Sequence, residues 1–217
     1  MRYGAVILAA GRSSRLAPAN KLLLSLGNRP VVRHVALAAL ASGLDPVIAV
    51  TGQDREGIAA ALTGLPVRVV DNRDYAQGLA SSLRAGVAAL AAEADAALVL
   101  LGDMPLIVPR HLQLLTDALA RGKRYSIGIP TYAGRRGNPV LWSAEHFPRL
   151  LELNGDRGAS VLFRELSDRI LEVAMPDDAV LIDIDTEAAM ETVRIRFEQA
   201  ETPRSDHPQA APTLSAS

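Results

Sequence analysis

Polar and charged side chains follow several short apolar stretches of this sequence, at positions where they could bind phosphate or a metal ion. The first stretch leads into residues 8–21, LAAGRSSRLAPANK, where small residues around Gly11 precede the cations Arg12, Arg15 and Lys21. Backbone N–H groups next to cations bind phosphate. This loop therefore predicts a phosphate cradle, and an ordinary glycine-containing turn with solvated charges is the alternative. It matches neither a Walker A motif nor a GxGxxG fingerprint.

Carboxylates follow two later apolar stretches. Asp103 comes directly after LVLLG, and Asp183 and Asp185 lie in VLIDIDTEAAM at 180–190. If 180–184 is a strand, alternation places Asp183 and Asp185 on one face, where they could hold a hard divalent cation. The alternatives are that Asp103 only accepts backbone amides in a turn, and that Asp185 or Thr186 caps the following helix.

The elements that must position these residues follow the pattern of βα units around a parallel sheet, because strand-length apolar runs alternate with stretches of helical period. The predicted strands are 3–9, 46–50, 67–71, 96–101, 126–130, 139–142, 170–173 and 180–184. The predicted helices lie at about 30–42, 55–62, 79–92, 109–121, 144–152, 158–166 and 187–199. The predicted fold class is α/β, a doubly wound, mostly parallel sheet with helices on both faces. Such sheets bind ligands beyond the carboxyl ends of their strands.

Length and composition limit the classes of function. The 217 residues, 49% of them hydrophobic, predict one domain over 1–200 and a disordered tail over 201–217, where large apolar residues are scarce. A net charge of −1 argues against nucleic-acid binding. The absence of Cys excludes disulfides and thiolate chemistry and fits a cytoplasmic protein. The longest stretches without Asp, Glu, Lys or Arg have 11 residues, too few for a membrane span.

Six ordered motifs resemble the molybdenum cofactor cytidylyltransferase branch of the nucleotidyltransferases. They are LAAG at 8–11, YAQGLASSLRAG at 75–86, LLGDMP at 100–105, GRRGNPVLW at 134–142, NGDRGAS at 154–160 and DIDT at 183–186. The opening pattern LAAG-x-S-x-R-x(5)-K is complete. The guanylyltransferase branch usually has LAGG, and here the third position is Ala10.

The resemblance implies a Rossmann-like nucleotidyltransferase fold and a CTP-dependent reaction. The terminal phosphate of molybdopterin or molybdenum cofactor would attack the α-phosphate of CTP and expel pyrophosphate, with Mg²⁺ as the cofactor. Arg15, Lys21 and Asp103 would be catalytic, and Asp103 would hold the metal with Asp183 or Asp185. Because the attacking phosphate is already anionic, catalysis reduces to positioning and charge neutralisation. A molybdenum hydroxylase is a candidate recipient of the product.

The resemblance also assigns the remaining binding residues. The nucleotide-binding candidates are Leu8, Ala9, Ala10, Gly11, Ser13, Gly78, Ser81 and Ser82. The acceptor-binding candidates are Arg135, Arg136, Asn138, Asp156 and Arg157. The two serines could instead be polar residues of a helical first turn, and the two arginines of GRRG could form a solvated hairpin tip. Departures from the family pattern include Ala80 in place of a serine and Ser160 in place of an arginine.

Two other functions stay open at this point. One is a transferase of the same fold that uses GTP or another phosphorylated acceptor such as a phosphosugar. The other is a non-catalytic molybdenum cofactor chaperone, against which the joint presence of Lys21, Asp103 and Asp183 argues. The four histidines are predicted to be structural or solvated, because three fall in helical patterns and the fourth lies in the tail.

Overall fold

The computed structural model describes residues 1–11 and 20–201. Ser13 and Arg15, and the predicted tail beyond Glu201, lie outside the described residues. The strands are β1 (Tyr3–Ala9), β2 (Ser25–Leu26), β3 (Arg29–Pro30), β4 (Val47–Thr51), β5 (Arg68–Asp71), β6 (Ala96–Leu101), β7 (Ile127–Tyr132), β8 (Arg135–Arg136), β9 (Val140–Ser143) and β10 (Ile170–Ala174). The α-helices are α1 (Val31–Ala41), α2 (Arg55–Ala61), α3 (Leu79–Leu90), α4 (Pro109–Arg121), α5 (Phe147–Leu151) and α6 (Glu187–Glu201).

The main sheet has the strand order β10-β7-β9-β6-β1-β4-β5, and β8 pairs with β7. Strand β1 is parallel to both β4 and β6, and β5 is parallel to β4. Strand β9 is antiparallel to β6 and β7. The direction in which successive strands are added reverses between β1 and β6. Their carboxyl ends therefore border the crevice where open α/β sheets bind ligands.

Helices cover both faces of this sheet because its central strands are apolar on both sides. Ile7 and Leu98 pack in one core cluster with side chains of α1, α2 and α4. Val6 and Val99 pack in a second cluster with α3 and α5. The alternation of neighbouring residues between the two clusters is the strand period of two. The predicted doubly wound, mostly parallel fold is confirmed.

The predicted strand at 180–184 is wrong. A 3-10 turn covers Asp178–Leu181, and the residues after it join no strand. The turn begins because the Asp177 carboxylate accepts the backbone N–H of Ala179 at 3.0 Å. Val180 is fully buried, and its carbonyl accepts the N–H of Asn138 at 2.9 Å. Burial in the core, rather than strand pairing, therefore explains the apolar residues of this segment.

Two predicted helices are shorter than expected. Residues 144–152 form a 3-10 turn, Ala144–His146, followed by α5, which has Pro148 in its first turn. Residues 158–166 contain only the 3-10 helix Gly158–Leu162, and Gly158 has φ of +55°. An α-helix cannot include a residue with this φ, so no α-helix begins at Gly158.

Helix α6 packs at the edge of the domain on the β2–β3 hairpin. Met190 and Val193 are buried in a third core cluster with Leu26, Val31 and Ile184. Within the residues that the structure describes, no helix combines the length and apolar character needed to cross a bilayer.

Truncation after Ala200 is expected to leave catalysis unchanged and to shift the Tm by less than about 2 °C, because the removed sequence contains too little apolar surface to pack. Truncation after Glu187 is the control. It removes Met190 and Val193 from the core and is expected to cost about 3 kcal/mol or more of unfolding free energy. Thermal melts and nucleotide binding measure both effects. Weak nucleotide binding by the protein truncated after Ala200 would contradict the prediction.

Candidate functional site

The candidate site lies where β1 and β6 end side by side. The N–H of Gly102 donates to the carbonyl of Leu8 at 3.0 Å, which places Asp103 beside the residues that follow β1. Leu8, Ala9 and Ala10 are buried, and Gly11 is exposed. The predicted cradle therefore emerges from the core at Gly11, at the edge of the sheet where ligands bind.

Lys21 lies on a 3-10 turn, Lys21–Leu23, that brings its side chain to Asp103. Asn20 starts this turn by accepting the N–H of Leu22 at 3.1 Å, and its amide donates to Asp54, the N-cap of α2, at 3.2 Å. Leu22 is buried and fixes the turn on the core. The Lys21 ammonium donates to Asp103 Oδ2, and the side chains are 18% and 14% exposed, respectively. The fold thus places Lys21 and Asp103, which are far apart in sequence, in one crevice.

Asp103 has one carboxylate oxygen without a hydrogen-bond donor. Oδ2 takes the Lys21 ammonium, whereas Oδ1 is buried and has no partner among the described residues. A buried polar atom that loses water and gains no partner is unfavourable. The alternative that Asp103 only accepts backbone amides in a turn is not supported, because its side chain accepts no backbone N–H in the described part of the chain.

The DID segment reaches Asp103 through a backbone contact and not through a strand. The N–H of Ile184 donates to the carbonyl of Asp103 at 3.0 Å. Partial burial and the nearby carboxylates of Asp103 and Asp185 raise the pKa of Asp183, while Lys21 acts in the opposite direction. Thr186 caps α6, since its hydroxyl accepts the N–H of Ala189 at 3.1 Å. The premise of strand alternation is wrong, but the carboxylates of Asp103, Asp183 and Asp185 are close enough for their charges to interact.

The residues around Asp103 fit a divalent cation that is also bound by substrate. In the ranges 1–11 and 20–201, no group of three or more Asp, Glu, His or Cys side chains is arranged to hold a metal by itself. Mg²⁺ commonly uses one or two carboxylates and completes its coordination with water and substrate phosphates. The orphaned oxygen of Asp103 and the adjacent Asp183 provide such a partial set.

The first turn of α3 is built around a buried asparagine that the sequence analysis missed. The side-chain amide of Asn72 donates to the hydroxyls of Ser81 and Ser82 at 2.9 and 3.0 Å, and its Oδ1 accepts the N–H of Asp74 at 3.0 Å. Ser81 also donates to the carbonyl of Gly78 at 2.8 Å. Both serines are only 4% exposed. Their direct contact with nucleotide stays a prediction, and what the geometry gives them is a role in shaping the turn at Gly78.

The position of Asn72 in the sequence could have identified it as a candidate site residue. It follows β5 directly, at the carboxyl edge where polar residues are informative, and the spacing DNRD is typical of a turn in which an Asn side chain bonds two residues ahead. Its serine partners lie nine and ten residues further on, and only the packed fold identifies them.

The loop at 153–158 packs against the start of α3. Gly78 has φ of +105°, and a Cβ there would lie 2.3 Å from Asp156 Oδ1. The carbonyl of Gly155 accepts the N–H of Ala80 at 3.0 Å. Arg84 donates to Asn154 Oδ1 at 2.7 Å. Asp156, predicted to bind the acceptor, therefore contacts Gly78, predicted to bind the nucleotide.

Arg135 and Arg136 lie on opposite faces of the short strand β8. Their partners on β7 are Tyr132 and Thr131, so strand alternation separates the two side chains. Arg136 donates to Glu172 at 2.7 Å, and its guanidinium lies 5.9 Å from the Phe163 ring centroid. This ion pair makes Arg136 a weaker candidate for the acceptor than Arg135.

Asn138 and Arg157 complete the predicted acceptor residues. Asn138 is half-buried and donates its backbone N–H to Val180, and Arg157 is exposed beside Asp156. Neither is placed against Asp103 by a described contact, and their assignment stays a prediction.

Three histidines have structural contacts away from the site. His111 Nε2 lies 3.2 Å from Asp177, and its Nδ1 accepts the N–H of Val108. His146 lies 2.7 Å from the Ser126 hydroxyl, and burial lowers its pKa. His34 contacts the carbonyl of Leu26 at 2.9 Å. The fourth, His207, lies outside the described residues.

Comparison with protein families gives a match over most of the chain. The profile described as a MobA-like NTP transferase domain matches residues 5–170. Nicotine blue oxidoreductase of Paenarthrobacter nicotinovorans is 32% identical over 187 residues, covering 83% of this chain and 91% of that protein. The bifunctional protein GlmU of Sorangium cellulosum is 36% identical over 134 residues, covering 58% of this chain. That match spans only 28% of the GlmU protein.

Solved structures share the same architecture. A nucleotidyl transferase from Methanothermobacter superposes with a TM-score of 0.79 at 28% identity, over 92% of this chain and 99% of that one. The Mycobacterium tuberculosis protein Rv0371c in complex with manganese gives a TM-score of 0.73 at 28% identity, over 90% of this chain and 99% of its own.

Proposed function

Because the chain belongs to the family of MobA-like NTP transferase domains and is an enzyme of the nucleotidyltransferase class, we propose that it transfers CMP from CTP to the terminal phosphate of molybdopterin or molybdenum cofactor. Pyrophosphate is the second product. The observation that carries the proposal is the Lys21–Asp103 pair at the ends of β1 and β6, with one Asp103 oxygen left for a cation. A molybdenum hydroxylase is the proposed recipient of the product.

The site can neutralise the charge of the substrate phosphates and position them for reaction. Asp103 and Asp183 would hold Mg²⁺, which supplies positive charge to the phosphates when bound. Lys21 would balance charge on the triphosphate, and the N–H groups around Gly11 would bind its oxygens. No described histidine contacts Asp103, which agrees with an acceptor phosphate that needs no strong base. Arg135 and Arg157 are the cations that we assign to the acceptor.

The proposal that the site binds a divalent cation has more support than the choice of Mg²⁺ in particular. Rv0371c, a 28% identical relative of known structure, has been crystallised with manganese. The choice of Mg²⁺ rests on the carboxylate oxygens and on the need for phosphate ligands.

Nucleotide choice tests the proposed function directly. Pyrophosphate release should be at least about 10-fold faster with CTP than with GTP, because Ala10 in LAAG matches the cytidylyl branch and a purine presents different edge groups to a pocket of fixed shape. The measurement uses purified protein, molybdopterin, Mg²⁺ and each of the four nucleoside triphosphates in turn.

Four results would contradict the proposal in different ways. Equal turnover with GTP would remove the cytidylyl assignment. Faster release with a sugar phosphate than with molybdopterin would change the acceptor. Absence of pyrophosphate with every nucleotide, together with a measurable redox activity of the purified protein, would favour an oxidoreductase, as the 32% identical relative is named. Tight cofactor binding without turnover would favour a chaperone.

A further inference from the structure

Helix α6 contacts both ends of the segment that carries Asp183. At one end, the Arg196 guanidinium donates to both carboxylate oxygens of Asp178, at 2.5 and 3.0 Å. At the other end, Ile184 is fully buried with Met190 and Val193 of the same helix. Asp183 lies between these two contacts. One helix therefore restrains the segment on both sides of the proposed metal ligand.

The Arg196–Asp178 contact has the geometry of a strong surface ion pair. Two parallel N–H to oxygen bonds fix the planes of both groups as well as their distance. The pair lowers the pKa of Asp178 through the hydrogen bond from Arg196, so this carboxylate is charged near neutral pH. Both side chains are more than half buried, at 40% and 35% exposed.

The segment next to this pair has further contacts with neighbouring elements. The Val180 carbonyl accepts the N–H of Asn138, and a Cβ on Gly137 would lie 2.1 Å from that same oxygen. Asp177 contacts His111 on α4 at 3.2 Å. The next fixed point is the bond from the N–H of Ile184 to the Asp103 carbonyl at 3.0 Å.

We propose that Arg196 is a positioning residue that holds residues 178–184 against the Asp103 loop and so sets the separation of the Asp103 and Asp183 carboxylates. The metal part of this inference rests on the proposed function. The positioning part concerns the protein alone. Arg196 acts through Asp178 and the backbone that follows.

Hydrogen–deuterium exchange of the full chain tests the positioning step without substrate. In R196A, peptides covering 179–186 should exchange at least about threefold faster. This factor corresponds to the stabilisation expected from a bidentate ion pair that is partly exposed. A peptide covering β6 serves as an internal reference, since global destabilisation would accelerate both regions. The matched control is R194A, which removes a guanidinium from the same helix whose contact, with Glu191 at 3.9 Å, is local. Equal exchange in R196A and R194A would overturn the inference.

Binding of Mn²⁺ alone, measured by electron paramagnetic resonance, tests the consequence for the carboxylates. R196A should weaken Mn²⁺ binding about threefold or more, R194A should not, and R196K should recover part of the loss because charge is kept while the bidentate geometry is lost. Unchanged Mn²⁺ affinity in R196A would overturn the link to the metal. Failure of the wild-type chain to bind Mn²⁺, with the exchange result as expected, would refute the metal role and leave the positioning role standing.

Discussion

Asp103→Asn is expected to reduce kcat/KM for CTP by about 100-fold or more while the protein stays folded. One oxygen of the carboxylate accepts a hydrogen bond from Lys21, and the other is buried without a donor. The second oxygen is therefore available to bind a cation, and the negative charge does not stabilise the core. Loss of one metal carboxylate removes several kcal/mol of transition-state stabilisation, and about 1.4 kcal/mol corresponds to tenfold in rate. Steady-state kinetics over a range of Mg²⁺ concentrations measures the effect.

The control for Asp103→Asn is Asp45→Asn. Asp45 is a surface carboxylate, 75% exposed, that pairs with Arg2 at 2.8 Å. Its loss should leave kcat/KM unchanged. Both variants should melt within about 4 °C of wild type, because neither removes apolar contacts. Activity of Asp103→Asn within twofold of wild type at saturating Mg²⁺ would show that Asp103 is not a metal ligand.

Lys21→Ala is expected to lower kcat about 100-fold and to raise KM for CTP. An ammonium that faces the phosphates stabilises the charge that develops on departing pyrophosphate, and removing one such donor commonly costs two to three orders of magnitude. The loss also leaves the Asp103 carboxylate, one oxygen of which is buried, without its cation. Lys21 has a partner in Asp103 and donates to it, an arrangement suited to a charged amine rather than to a neutral nucleophile.

Lys21→Arg distinguishes charge from covalent chemistry. Because arginine keeps the charge but changes the geometry, it should recover about tenfold of the activity lost in the alanine variant. The comparison is made at saturating CTP, with melting temperatures recorded for all three proteins. An arginine variant as inactive as alanine, or a nucleotidyl adduct on Lys21 detected by mass spectrometry, would show that the electrostatic role is wrong.

The fold was largely predictable because its signals are local. Strands β1 and β6 are buried on both faces and appear in the sequence as continuous apolar runs, so the residues after them could be assigned to the ligand-binding edge. The segment at 180–184 looked like another such run, but Asp177 starts a turn and Val180 is buried by packing. Apolar character alone does not distinguish a strand from a buried turn.

The candidate site was predictable in its residue types but not in its contacts. Lys21 and Asp103 were both identified, yet their pairing depends on β1 and β6 lying side by side, which joins residues 82 positions apart. Asn72 was missed because its partners are defined by the packing of α3 on the sheet. Arg136 is a weaker acceptor-binding candidate than Arg135 because it pairs with Glu172, which lies on another strand.

The contact between Gly78 and the 153–158 loop limits how this enzyme can be redesigned. Asp156 and Gly155 occupy the space where a Cβ of residue 78 would be, so the turn at Gly78 and the 153–158 loop form one continuous surface. Binding free energies of groups that share such a surface are coupled, and the coupling is reciprocal. If Gly78 and Asp156 bind nucleotide and acceptor as proposed, a variant library directed at new acceptors would have to retain Gly78 and the Gly155 carbonyl contact, or selection for one substrate would also change the affinity for the other.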